Sequence, residues 1–284
     1  MKPKTLLLNF LLLVVLSGCA NPSANSTATP ALTLPSATAT VTPTILPTAT
    51  STSTIPPTPT TEMAMQVCSP LQGIVREKLK GITSNPWVAP LPYVENIDRH
   101  PAIDFSFYHF EGYNTFANFP IQSILPGKVI LIEDNRFPYG YMVLIETPLS
   151  QVDPAFLPSI PQPTQLPPSI YTTDDRCPVD GKKVTNDPSL KSIYVLYAHL
   201  SSLPLVKNGE SVSCGELIGY AGKTGNAAEE HLHLEIRIGP SNALFNSIAS
   251  YHSSITPEER YNYCIWSISG VFQAVDPAIL LYPN

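Results

Sequence analysis

The chemistry-bearing stretch of this 284-residue chain is Glu230-His231-Leu232-His233-Leu234-Glu235-Ile236-Arg237. Leu232, Leu234 and Ile236 alternate with the histidines, which is the period of a half-buried β-strand. Both imidazoles then face one side, about 7 Å apart at the α-carbons, near enough to share one metal or one substrate. A lone histidine on a strand is usually structural, whereas a same-face pair favours a metal or catalytic role. His100 and Asp104 form a second candidate pair. On a straight strand they would lie about 13 Å apart, too far for one ion with bonds of about 2 Å, so sharing a metal requires the bend that Pro101 permits. Taken alone, this spacing reads more simply as a surface ion pair or a turn.

These residues must be positioned by short strands. Ile121 to Glu133 reads as a strand, a turn at Pro126-Gly127 and a second strand, and Gly140 to Glu146 as another. Ile193 to Leu200 is a further strand with His199 near its end. Glycines between Val206 and Tyr220 suit tight turns, and Gly222 to Glu230 is a loop leading into the His231 strand. Cys68 to Val94 is a lead-in segment with a short helix or strand and no evident chemistry. Thr147 to Ser192, rich in Pro, Asp and Thr, is too long for an ordinary loop and reads as an insertion, 147–192. Many short strands with few helical patterns predict an all-β domain, an antiparallel β-sandwich or half-open barrel.

Composition sets the wider frame. Hydrophobic residues make up 43% of the chain, enough for a core, while charged residues are 13% and the net charge is -6. A basic nucleic-acid-binding surface is therefore not expected. Lys2 and Lys4 precede an apolar run from Leu6 to Leu16, closed by Leu16-Ser17-Gly18-Cys19. That pattern resembles a bacterial lipoprotein signal, 1–19, with Cys19 as the lipidated residue after cleavage. Two or three acyl chains hold a protein at a membrane, so an extracytoplasmic, lipid-anchored location is expected. Residues 20–62 are dominated by Ser, Thr, Pro and Ala and cannot bury enough apolar surface to fold. They read as a disordered tether with a stretched reach on the order of 100 Å. The folded domain is expected over 63–284, with a core at 97–238.

Apart from Cys19, the cysteines are Cys68, Cys177, Cys214 and Cys264. In an exported chain they read as two disulfides with three possible pairings. The expected pairing is Cys68 with Cys264, closing the start of the domain onto its end, and Cys177 with Cys214. A zinc site made of these cysteines is disfavoured, because no C-x-x-C unit is present.

Several motifs together resemble a known family. They are His100-x-x-x-Asp104, Tyr197-Ala198-His199-Leu200, the Gly209-Glu210 to Ile218-Gly219 run, Gly222-x-Thr224-Gly225 and His231-Leu232-His233-x-Glu235. In this order they are similar to the lysostaphin-like, LytM-type peptidoglycan metallopeptidases. The similarity covers roughly residues 97 to 238, and Val275-Asp276-Pro277 resembles the usual C-terminal end. Of the six histidines, His100, His199, His231 and His233 fall on the motif positions, while His109 and His252 fall on none and read as surface residues.

The resemblance implies that His100, Asp104 and His233 bind one Zn²⁺ with water in the fourth position. It also implies that His231 and His199 flank that water without binding the metal. Two neutral imidazoles and a carboxylate leave the zinc a net positive charge and an open site, which lowers the pKa of its water and polarises a carbonyl. No H-E-x-x-H helix supplies a glutamate base. His231 is therefore expected as general base, and His199 as a donor to the oxyanion, with the two roles open to exchange. The implied activity is a zinc endopeptidase that hydrolyses peptide cross-links of bacterial peptidoglycan. The alternative is a wall-binding or hydrolase-activating module of the same fold without turnover. A lipoyl-like or biotinyl-like barrel shares the turn spacing of Gly209 to Gly225, but no Met-Lys-Met lysine sits at a hairpin tip.

The chain departs from the family pattern at Ala102, where glycine is usual, at Tyr141, where asparagine is usual, and at Ala228-Glu229-Glu230, which replaces Ser/Thr-Gly-Pro. Ala102 is tolerable if its φ is negative. Glu229 and Glu230 read as solvated charges beside the site, or as selectors of an amine-bearing substrate.

Overall fold

Runs of β-branched and aromatic residues form the strands, and their alternation decides which side chains meet at the site. The structure, a computed structural model, describes residues 66–90, 99–108, 110–152, 190–250 and 254–282. The signal, Cys19, the tether, Cys177, His109, His252 and most of the expected insertion lie outside the described residues.

In chain order the elements are α1 (Arg76–Leu79), β1 (Thr83–Asn85), β2 (Ile103–Phe105), β3 (Pro120–Gln122), β4 (Gly127–Arg136) and β5 (Gly140–Pro148). They continue with β6 (Lys191–Leu200), β7 (Ser211–Val212), β8 (Leu217–Tyr220), β9 (Leu232–Pro240), α2 (Pro257–Ser267), β10 (Gln273–Val275) and α3 (Ala278–Leu281). The main sheet has the order β1-β2-β9-β6-β5-β4-β7, with β10 paired to β9, and β3 and β8 form a separate two-stranded sheet. Every strand pairing among the described residues is antiparallel. The antiparallel all-β reading thus holds.

The insertion is narrower than 147–192. Thr147 pairs with Ile193 and Pro148 with Ser192, so both strands extend into the Pro/Thr-rich region and strand pairing overrides its loop-like composition.

The sheet is buried on both faces. Leu232, Leu234 and Ile236 of β9 point into one core with Val143, Ile145, Tyr197, Ile121 and Leu125, under the β3–β8 pair. Leu131, Met142, Leu144 and Leu196 point to the opposite core, which Trp266 of α2 and Phe272 cover. The sequence reading assigned no helix to this C-terminal part. A signal was present: Thr256 caps α2, accepting from the Glu259 N–H at 3.1 Å while the Glu259 side chain accepts from the Thr256 N–H at 2.7 Å. Thr-Pro-Glu-Glu is the capping-box pattern with proline at the first helical position. The helix was hidden by its polar composition. It is held mainly by burying Tyr263, Cys264, Ile265 and Trp266, each worth about 1.5–3 kcal/mol where fully apolar.

Neither expected disulfide pairing occurs. Cys68 is bonded to Cys214, with the α-carbons 5.6 Å apart. The lead-in segment runs beside the β3–β8 pair, where the Cys68 N–H donates to Ile124 O at 2.9 Å and the Gly215 N–H to Ser123 O at 2.8 Å. Cys264 sits on α2 under the other face of the sheet. It too is disulfide-bonded.

Candidate metal centre and active site

Antiparallel register assembles the site from distant parts of the chain. Asp104 on β2 pairs directly with His233 on β9, and Ala198 on β6 pairs with His233 from the other side. Ile103 and Phe105 flank Asp104 and point into the core under β3–β8, so Asp104 faces the opposite side with His233. The small Ala198 leaves room beside the imidazole. His100 precedes β2, and the chain bends enough for its Nε2 to reach Asp104 Oδ1 at 3.1 Å. The bend expected at Pro101 is therefore present. Ala102 is buried and is not among the positive-φ residues, so its methyl is accommodated as anticipated.

Three donor atoms converge. Asp104 Oδ1 lies 3.1 Å from His100 Nε2 and 3.0 Å from His233 Nδ1, and the two nitrogens are 3.3 Å apart. Ligands about 2.0–2.1 Å from a tetrahedral zinc are about 3.3 Å from one another. The donor set is thus the right chemistry at the right spacing, and it fits a zinc ion. His199, His231 and His233 form a second group of ring nitrogens within 4.8 Å of one another, but no carboxylate belongs to it.

His199 is placed by a bulge. The β5–β6 register shifts between Tyr141 and Val143, and His199 has φ +60, a left-handed conformation uncommon for non-glycine residues. Its N–H donates to Tyr139 O at 2.9 Å, and its Nδ1 contacts Thr224 O at 2.7 Å. His231 Nδ1 contacts Glu229 O at 2.8 Å. A carbonyl only accepts, so Nδ1 carries the proton in both rings and each neutral ring keeps its lone pair at Nε2. His231 Nε2 is 3.8 Å from Asp104 Oδ1, beside the three donors.

The electrostatics favour a cation between the carboxylate and the imidazoles. Burial by itself raises the Asp104 carboxyl, but hydrogen bonds to His100 and His233, and their charge, hold it far below the usual carboxylate range. Burial pushes His233 down, yet Asp104 and Glu235 outweigh it and raise the imidazole to about 9. Burial and then the neighbouring His233 and His231 push His199 down to about 3, so it stays neutral at pH 7. A site that holds a proton this firmly beside Asp104 suits a divalent cation equally well.

The donors open into a cavity of about 520 Å³ whose walls include Arg99, Tyr139, Ala227, Ala228 and Glu235. Tyr263 and Ser267 of α2 also line it, which the sequence reading missed together with the helix. Of the two glutamates singled out beside the site, Glu230 carries an exposed contact to Lys223 Nζ at 3.7 Å, and the Glu229 carbonyl orients His231.

Fold and site define a class: an antiparallel β protein with a His/Asp group that can hold a metal at the floor of a cavity. Residues 179–245, the segment bearing His199, His231 and His233, match the family model Peptidase family M23. The chain is similar to the catalytic domain of lysostaphin from Staphylococcus simulans, at 17% identity and TM-score 0.37, covering 72% of this chain and 96% of that one. It is similar to a zinc-containing peptidase from Vibrio cholerae at 20% identity and TM-score 0.32, covering 58% and 37%. A putative peptidase M23 from Pseudomonas aeruginosa gives 22% identity and TM-score 0.28, covering 55% of this chain and 47% of that protein, about half its length.

Proposed function

We propose that this protein is a zinc endopeptidase that hydrolyses peptide cross-links of bacterial peptidoglycan. The observation that carries the reading is the convergence of His100 Nε2, Asp104 Oδ1 and His233 Nδ1 at 3.0–3.3 Å, with two further histidines at the same cavity. His100, Asp104 and His233 would hold one Zn²⁺. When bound there, zinc supplies Lewis acidity towards a carbonyl and makes water acidic enough to attack near neutral pH.

The chain's own residues handle the protons. With Nδ1–H committed to Glu229 O, His231 presents a lone pair at Nε2, takes a proton from the attacking water and returns it to the leaving amine. His199 has its Nδ1–H committed to Thr224 O and is neutral at pH 7, so its Nε2 accepts rather than donates. Instead of donating to an oxyanion, it accepts the second hydrogen of the water and orients it towards the substrate. Tyr139, Tyr263 and Ser267 bound the cavity on the α2 side and limit the free directions for a bound peptide.

Lipidation at Cys19 and the tether 20–62 would keep this domain outside the cytoplasm, searching a shell of wall beside its own membrane. The test is digestion of purified wall with and without a chelator, with released fragments identified by mass spectrometry. Metal-dependent release of cross-link fragments is expected. Equal release in both samples, or none in either, overturns the reading.

A further inference from the structure

The sheet face that carries His233 continues along β9 through Glu235 and Arg237, two and four residues on. Glu235 is fully buried, which for a carboxylate demands partners. Its Oε1 accepts from Arg237 Nε and its Oε2 from the Tyr139 hydroxyl at 3.3 Å. Arg237 is itself fixed, donating from Nη1 to Phe272 O at 3.0 Å and lying over the Trp266 ring at 5.1 Å. The remaining direction of Glu235 Oε2 faces His233 Nε2 at 3.9 Å. His233 therefore stands between two carboxylates, with Asp104 at Nδ1 and Glu235 at Nε2.

We infer that Glu235 is a positioning residue for His233: its buried carboxylate holds the imidazole as the Nε2–H tautomer and leaves the Nδ1 lone pair free for a cation beside Asp104. The inference rests on the reading of His100, Asp104 and His233 as a zinc site. A carboxylate only accepts, so each of the two favours a proton on the nitrogen it faces; once a cation takes the Nδ1 lone pair beside Asp104, the single N–H of the neutral ring is left at Nε2, where Glu235 stabilises it. The 3.9 Å separation is longer than a hydrogen bond and within ion-pair range, so Glu235 acts through its field. Arg237, Tyr139 and, through Arg237, the Phe272 carbonyl keep that field aimed. The competing account is that Glu235 only neutralises Arg237 and so anchors the Phe272 segment to the sheet.

The test is the Zn²⁺ dissociation constant of the purified full-length protein, measured by competition with a chromophoric chelator. It compares wild type, Glu235→Gln and the double variant Glu235→Gln/Arg237→Met. The double variant removes the buried pair together, which preserves packing and avoids a stranded guanidinium. Outer carboxylates on histidine ligands are worth about 10–100-fold in metal affinity, and that weakening is expected in both variants. Nitrogen-15 spectra of the zinc-loaded proteins should show His233 as Nε2–H throughout, with its Nε2–H resonance shifted in both variants because the facing carboxylate is gone. Affinities in both variants within about twofold of wild type, against the loss above, overturn the inference. So does weakening in the single variant that the double variant restores, since that assigns Glu235 to Arg237 alone. A wild-type protein that binds no zinc overturns the reading of the site itself, an outcome distinct from the other two.

Discussion

Replacing Gly225 with alanine tests how the loop before β9 serves the site. Gly225 has φ +72, and a β-carbon there would overlap Pro138 O and Gly140 N, both backbone atoms. The left-handed conformation costs an alanine about 1–2 kcal/mol. Forcing extra volume into a packed contact adds about 1–3 kcal/mol, so about 2–5 kcal/mol is lost if the loop stays in place. The loop can relieve the overlap only by moving away from Pro138–Gly140. That movement would break the bonds that seat Thr224, from its hydroxyl to Leu200 O at 2.7 Å and from the Tyr141 N–H to its hydroxyl at 3.0 Å. It would also withdraw Thr224 O from His199 Nδ1, now at 2.7 Å, and free the ring to change tautomer. Strain and displacement therefore trade against each other: a variant that keeps its stability should lose turnover, by about tenfold or more for a misplaced acid–base group. The assay pairs urea unfolding with the rate of wall-fragment release, and zinc affinity serves as control, because His100, Asp104 and His233 are held by other segments. Wild-type turnover together with stability within about 0.5 kcal/mol of wild type would refute the reasoning.

Two further outcomes follow from the same geometry. His199 is lowered from 6.5 to about 3 in the folded chain, so between these values the unfolded chain binds more protons and stability falls as pH falls. In chelator the loss from pH 6.5 to 5 should be roughly 1.6 kcal/mol, seen in urea midpoints. His199→Asn, which tolerates the positive φ, should remove that slope, and an unchanged slope would reassign it to another group. Replacing Cys68 and Cys214 together with serine should cost about 2–5 kcal/mol, because the bond closes a long loop in the unfolded chain. Thermal unfolding by circular dichroism measures this, and zinc binding at low temperature should persist because the site lies under the opposite face of the sheet.

Local pattern made the strands and the candidate ligands legible in the sequence. Period-two alternation over residues 231–236 fixes which way His231 and His233 face whatever the rest of the chain does, and the His100–Asp104 spacing with Pro101 anticipates a bend. The antiparallel character follows from short strands separated by turns. What local pattern cannot carry is register and packing between distant segments. The pairing of Asp104 opposite His233, the bulge that turns His199 into the cavity and the placing of Cys68 beside Cys214 each depend on contacts made after the sheet closes. The disulfide expectation failed for that reason, since four thiols in a row of sequence hold no record of which face each will reach. Helix α2 was half-written: its capping box stands in Thr256 to Glu259, but its polar surface gives little amphipathic period, and its stability comes from Trp266 meeting the sheet. Residue types and local spacing thus determined the candidate ligands, while their tautomers, their protonation and the walls around them were decided by tertiary burial, where a carbonyl or carboxylate a few ångströms away outweighs anything the chain encodes locally.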